Sequence, residues 1–428
     1  MQNNRISVFF VSMPVKTLPD EHLPEFVRIV GDAYPAMDLN TPVEREKAVE
    51  RFRAQNRDER NHMFGCYRDD RLVGGVRLHD FQLHLRGALM ACGGGGMLAV
   101  DLPYKKQHVA KEIMQFFFGR YRQQEASMAA LWPFRPDFYR KMGVGYGGKI
   151  SEYHIAPSSF PLIDPPQPVK RLTIDDCEAV VDCFNEYAMM VNGMILETVP
   201  GRRIRMEQTQ SLRMVGFEQD GKLRGYIQYA FRKDKTGNFL VNDLIVQEFV
   251  YLTRESLLAL CSFLRVQADQ VNRVVIRTHE DDLHHLLFDP RNASGHLIPP
   301  VYHEIHTTGI GIMYRVLDVN RLWAQLSEAK FNDESLTVTF QVHDTFMPEN
   351  DGPITVVFDH GKPSLDSQIA ADVTVGLDVC DLASLIVGSA DLSSLVRYGR
   401  VTIDNSECIR PLTRLFLTDH QPLCLTPF

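Results

Sequence analysis

The stretch LWPFRPDFYRKMG, residues 131–143, decides how the chain is read. Met128 to Trp132 is apolar and predicts a buried strand, while Pro133 and Pro136 mark a turn. The residues that follow predict one or two helical turns, ended by Gly143. This arrangement projects Phe138 and Tyr139 from the end of a strand. A phenol has a pKa near 10, close to that of a departing thiol, so a well-placed tyrosine can protonate a leaving sulfur. Core packing is the alternative use of both rings.

Upstream, Met97 to Val100 predicts a buried strand, and Val109 to Gln124 has the apolar spacing of an amphipathic helix. Between them lies Lys105-Lys106-Gln107-His108-Val109-Ala110. A helix start that follows a buried strand offers unpaired backbone N–H groups and the positive end of the helix dipole to an anion. The two lysines add charge, although a solvated helix start would look the same. A further strand leads into Cys92, and Gly93 to Gly96 then precede Met97–Val100 and allow either close approach of a substrate or a bulged, tightly packed backbone. Further back, Met63–Tyr67 and Leu72–Leu78 read as a hairpin around Asp69-Asp70. Leu23 to Arg53 reads as two helices interrupted at Tyr34-Pro35 and Asn40-Thr41-Pro42.

Downstream, the proline-rich segment Pro157 to Pro168 predicts a domain boundary. Beyond it the pattern recurs: a hairpin at Phe217–Ile227, strands at Phe239–Val246 and Arg273–Arg277, and a helix at Arg254–Gln267. This is a degenerate second copy of the first domain. After Pro299-Pro300 the texture becomes α+β, with a strand at Gly311–Leu317, a helix at Val319–Ala329, strands at Leu336–His343 and Ile354–Asp359, and a helix at Leu382–Val387. The expected division is 1–158, 159–305 and 306–428.

The 428 residues exceed what one core usually supports, and 44% apolar content suffices for several. The net charge of −8 without a long basic run argues against nucleic acid. Eight cysteines without a CxxC pair predict buried thiols and neither a zinc module nor a disulfide framework. His284-His285 near Asp281-Asp282 makes a weak metal candidate, because adjacent histidines on a helix diverge and no third ligand fits. The runs Val8–Met13 and Phe116–Phe118 are too short to span a membrane, and the N-terminus lacks a signal-peptide pattern. A cytoplasmic location is expected.

Strand, phosphate loop, helix, strand and FYRKMG together resemble the GCN5-related N-acetyltransferase (GNAT) superfamily. GIMYRVLDVNR and ADVTVGLDVCDLASLIVG narrow the resemblance to the enhanced-intracellular-survival (Eis) acetyltransferases. Those proteins join an active acetyltransferase domain, a degenerate second one and a sterol-carrier-like third. The resemblance implies acetyl-CoA as co-substrate, no metal, and direct transfer to primary amines of small polyamine or aminoglycoside-like substrates. It also implies a homo-oligomer, a trimer or hexamer. Tyr139 would be the general acid, and the carboxylate of Phe428, which ends the run Cys424-Leu425-Thr426-Pro427-Phe428 whose apolar composition suits packing, would assist amine deprotonation. Coenzyme A would meet Lys105 to Ala110 and the backbone of Leu98 and Val100. Lys105 replaces the family's Arg, Ala110 fits the final small residue, and His108 stands where glycine is usual. The alternatives are a non-catalytic acyl-CoA or lipid-binding protein and, for the third domain, a role in assembly alone.

Overall fold

The computed structural model describes residues 15–163, 167–209, 211–233, 242–292 and 294–428. The run Val8–Met13, the start of the strand expected at Phe239 and part of the connection within Pro157–Pro168 lie outside the described residues. The described residues form two seven-stranded sheets, one five-stranded sheet and a two-stranded ribbon, Leu297–Ile298 with Tyr302–His303.

In the first sheet, Asn61–Arg68, Arg71–Leu85 and Ala88–Val100 form an antiparallel meander. Met128–Leu131 then adds in parallel, beside Ala88–Val100. What was expected as two strands around the glycine run is one continuous strand of thirteen residues. The helix Val109–Gln123 joins the parallel pair and buries Val109, Ile113, Met114, Phe117, Phe118 and Tyr121. Those positions recur at helical spacing, which explains why one face was legible from sequence. The helices Leu23–Ala33 and Pro42–Gln55 form a separate packed layer with Phe26, Val30 and Phe52 in its core.

The second sheet repeats this plan with Arg213–Gln219, Lys222–Lys233, Asn242–Tyr251 and Val271–Thr278, crossed by the helix Arg254–Arg265. In the third domain, Leu336–His343 is the central strand. It pairs antiparallel with Gly352–Asp359 and parallel with Val373–Asp378. The strands there alternate buried and open residues, and the helix Val379–Val387 is buried throughout.

Two strands cross the expected division. Lys149–Ile155, assigned to the first domain, pairs with Val271–Thr278 in the second sheet. Met313–Val316, assigned to the third, completes the first sheet between Met128–Leu131 and Gly145–Tyr146. The division at 158 and 305 therefore stands as our proposal only for the main bodies, with these two strands exchanged. A physical reason lies at Arg315, fully buried and paired with buried Asp344, with a further hydrogen bond to the Gly143 carbonyl at 3.3 Å. Gly143 has φ +75, and a Cβ there would lie 2.7 Å from the Arg315 guanidinium. The glycine that ends FYRKMG thus supplies a left-handed helix end and room for a side chain from 172 residues away.

Candidate active site

The parallel pairing of Ala88–Val100 with Met128–Leu131 begins at Cys92 and Met128 and stops at Gly95 and Leu131. Beyond that point Gly96–Val100 keeps its partner only on the other side, and a register shift falls there, with Met97 at φ +54. On the second arm Pro133 cannot continue the ladder, and the chain turns into the short helix Pro136–Arg140. The two strands splay into a V. Leu98 and Val100 lie half-buried on one arm. Tyr139, 5% exposed, comes from the helix after the other arm and packs in the same apolar cluster. Its hydroxyl has no hydrogen-bond partner among the described residues, and burial holds its pKa well above the ordinary phenol value, with Tyr34 adding to the shift. Tyr34 donates to the Leu98 carbonyl at 2.6 Å, taking one of two lone pairs on a backbone group expected to meet the cofactor.

At the expected phosphate loop, Lys105, Lys106, Gln107 and His108 are all exposed. Lys106 and His108 adopt φ +64 and +63, the left-handed region that glycine enters at least cost. His108 therefore keeps the backbone shape expected of the missing glycine. No side chain caps the helix that follows, so the first-turn N–H groups of Val109, Ala110 and Lys111 are free to meet an anion. The His108 side chain is exposed and makes no capping hydrogen bond to the helix.

The C-terminal tail is packed, as its apolar composition suggested. Leu423 N–H donates to the Asn192 carbonyl at 3.0 Å, and the Thr426 hydroxyl donates to the Ile195 carbonyl at 2.9 Å. Phe428 then lays its ring against Phe81 and His79, with centroids 5.0 and 5.6 Å away, and approaches Trp132 at 6.3 Å. A Cβ on Gly96 would lie 3.1 Å from the Phe428 carboxyl carbon, so the terminal carboxylate sits where the strands part. The glycine run has a steric origin: a Cβ on Gly93, Gly94 or Gly95 would meet the rings of Tyr121, Phe81 or Phe117 within 2.6 Å. The tight-packing reading of that run applies to three glycines, and at the fourth it is the chain's own Phe428 that comes close to the backbone.

The second sheet has an equivalent splay, because Asn242–Tyr251 and Val271–Thr278 stop pairing after Val246 and Ile276. Leu423 and Leu425 of the tail lie between the arms there, with Tyr187, Phe249 and Thr278. The corresponding helix start is also closed, since Thr253 Oγ1 accepts from the Ser256 N–H at 3.1 Å. Thr253→Ala should lower stability by about 1 kcal/mol, the usual cost of a lost cap. It should leave coenzyme A affinity unchanged, and calorimetry with thermal melts checks both.

Acetyltransferase (GNAT) domain families match residues 14–147 and 197–316, and a sterol carrier protein domain family matches residues 323–425. The chain belongs to the GNAT acetyltransferases. Among solved structures, it is similar to a GCN5-related N-acetyltransferase from Anabaena variabilis, with 15% identity over 97% of this chain and 99% of that one and a TM-score of 0.81. A probable N-acyltransferase from Enterococcus faecalis has 21% identity over the same shares and a TM-score of 0.77. Eis1 from Mycobacterium abscessus has 18% identity, again over 97% and 99%, and a TM-score of 0.75. A comparison with curated proteins finds no match. GNAT domains use acetyl-CoA as co-substrate.

Sequence reading of this acetyltransferase missed the residues beside Phe428. His79 is 5% exposed; its Nε2 accepts from the Arg77 Nε–H at 3.1 Å, so the ring proton is on Nδ1, donated to Asn61 Oδ1 at 2.5 Å. Burial and the nearby Arg77 hold its pKa well below the ordinary value, and the ring is neutral. The available signal was a charged and a titratable residue, Arg77 and His79, flanking Leu78 in the strand next to the glycine run. The His284-His285 reading needs correction. The pair lies on a 3-10 turn with ring centroids 4.1 Å apart, so the side chains converge instead of diverging. Among the described residues no group of three or more His, Cys, Asp or Glu is arranged to hold a metal. All eight cysteines are free thiols, seven of them buried.

Proposed function

We propose that this acetyltransferase transfers the acetyl group directly from acetyl-CoA to a primary amine, in the cleft of the first sheet. What supports the reading is one splayed strand pair with the Phe428 carboxyl group at Gly96 on one arm, a buried Tyr139 without a hydrogen-bond partner among the described residues on the helix after the other, and an uncapped helix start nearby. The free N–H groups of Val109 to Lys111, with Lys105 and Lys106, fit the pyrophosphate, and the backbone of Leu98 and Val100 fits the pantetheine arm. The thioester supplies an acyl carbon and a thiolate leaving group. As the amine nitrogen bonds to that carbon and the carbon–sulfur bond breaks, Tyr139 gives its proton to the sulfur. Before that attack the Phe428 carboxylate, with an intrinsic pKa near 3.5, holds the incoming ammonium and accepts its proton through a bridging water, which leaves the neutral amine as nucleophile.

Polyamines and aminoglycosides were the acceptors implied by resemblance, and they belong to this proposal only as primary amines. A cytoplasmic location and a homo-oligomeric assembly are likewise expectations; no helix of the described residues is long and apolar enough to cross a membrane. Calorimetry with coenzyme A, followed by thiol release from acetyl-CoA in the presence of an amine panel, tests the reading. Saturable binding and amine-dependent thiol release are expected. Absence of coenzyme A binding would overturn the reading.

A further inference from the structure

The pocket that ends at Phe428 is lined by Asp58 and Arg60 from the turn after Pro42–Gln55, Arg77 from the first sheet, Glu197 from a loop and Arg205 from the helix Val199–Gln208. Its charges are largely committed to one another. Asp58 takes the Arg60 guanidinium at 2.7 Å, and Glu197 takes Arg205 together with buried Arg202, the latter at 2.6 Å. Neither carboxylate is left to bind a cationic ligand without breaking an existing pair. Arg77 differs. Its hydrogen bonds go to the neutral groups Gln55 Oε1 and His79 Nε2, and no carboxylate pairs with it among the described residues. The nearby guanidinium of exposed Arg51 adds repulsion, which with burial lowers the Arg77 pKa to about 10.

Position gives this cation its meaning. Arg77 is the cross-strand partner of Gly96, so both face the same side of the sheet, and Gly96 is the residue against which the Phe428 carboxyl group rests. The pocket is therefore lined on one face by a carboxylate and a guanidinium, and no ion pair joins the two among the described residues. We propose that it selects an acceptor that is itself dipolar, a primary amine carrying a carboxylate or comparable anion a few bonds from the nitrogen. The ammonium goes to the Phe428 carboxylate and the anion to Arg77. A polyamine of similar length would place its second ammonium beside Arg77 and lose affinity through like-charge repulsion.

This inference rests on the amine-acetylation reading, and matched acceptor pairs test it: lysine against cadaverine, and γ-aminobutyrate against butylamine. For the intact enzyme, kcat/KM should favour the carboxylate-bearing member of each pair at least tenfold. In Arg77→Gln, and less completely in Arg77→Lys, that ratio should fall toward one through KM, with thermal melts confirming the fold. Calorimetry of lysine and γ-aminobutyrate binding to the intact chain and to Arg77→Gln separates the two readings. If no amine is acetylated but these ligands bind only where Arg77 is present, the acetylation reading fails and the dipolar site stands. A preference for cadaverine or butylamine, an undiminished ratio in folded Arg77→Gln, or Arg77-independent binding would overturn the inference, as would no binding by either chain.

Discussion

Tyr139→Phe should lower kcat by a factor of about 100 to 10,000, the range attributed to a positioned general acid, with KM for acetyl-CoA little changed. The side chain loses one oxygen and no packing volume, so its contacts with Phe138 and the surrounding apolar cluster survive. The hydroxyl has no hydrogen-bond partner among the described residues, so folding loses no existing bond. Because burial raises the Tyr139 pKa, the acid stays protonated beyond the ordinary phenol range. Any alkaline decline of kcat below pH 10 must then come from another group, and it should be the same in Tyr139→Phe. Steady-state rates between about pH 6 and about pH 10, the upper limit being where an unshifted phenol is half ionised, check both statements. Full activity in Tyr139→Phe would remove the proposed acid.

Displacing the terminal carboxylate should cost about 100-fold or more in kcat/KM, by the same scale for lost proton handling. Deleting Phe428 is one route, but it also removes the ring that packs on Phe81 and His79. Adding a single glycine after Phe428 keeps the ring and moves only the carboxylate, so the two variants separate packing from charge. The extended chain should melt with the parent and lose as much activity as the deletion. Gly96→Ala should behave similarly, because its new methyl would press on the carboxyl group at 3.1 Å. If the extended chain works at the parental rate, the carboxylate has no part in the reaction.

Much of the first domain was legible because its signals are local. Proline spacing, the apolar stripe of Val109–Gln123 and the closing glycine each act within one or two turns of chain. The departure at His108 was also visible, but its consequence was not. A positive φ depends on how the loop is held between strand and helix, and there the histidine preserves the backbone path that glycine would take.

Sequence by itself determined the element order, the duplicated hairpin-and-helix pattern, the Tyr139 motif and an apolar tail fit for packing. All of these follow from periodicity and composition over short stretches. Only the tertiary structure decided that Met313–Val316 and Lys149–Ile155 change sheets, that the tail runs through the second cleft, and that Arg77 shares a face with Phe428. The reason is that strand pairing and charge compensation are long-range. A strand's partner is chosen by which edge is open after the chain has collapsed, as buried Arg315 and Asp344 illustrate. Likewise, an arginine's usefulness to a ligand depends on whether another part of the chain has already supplied its counterion.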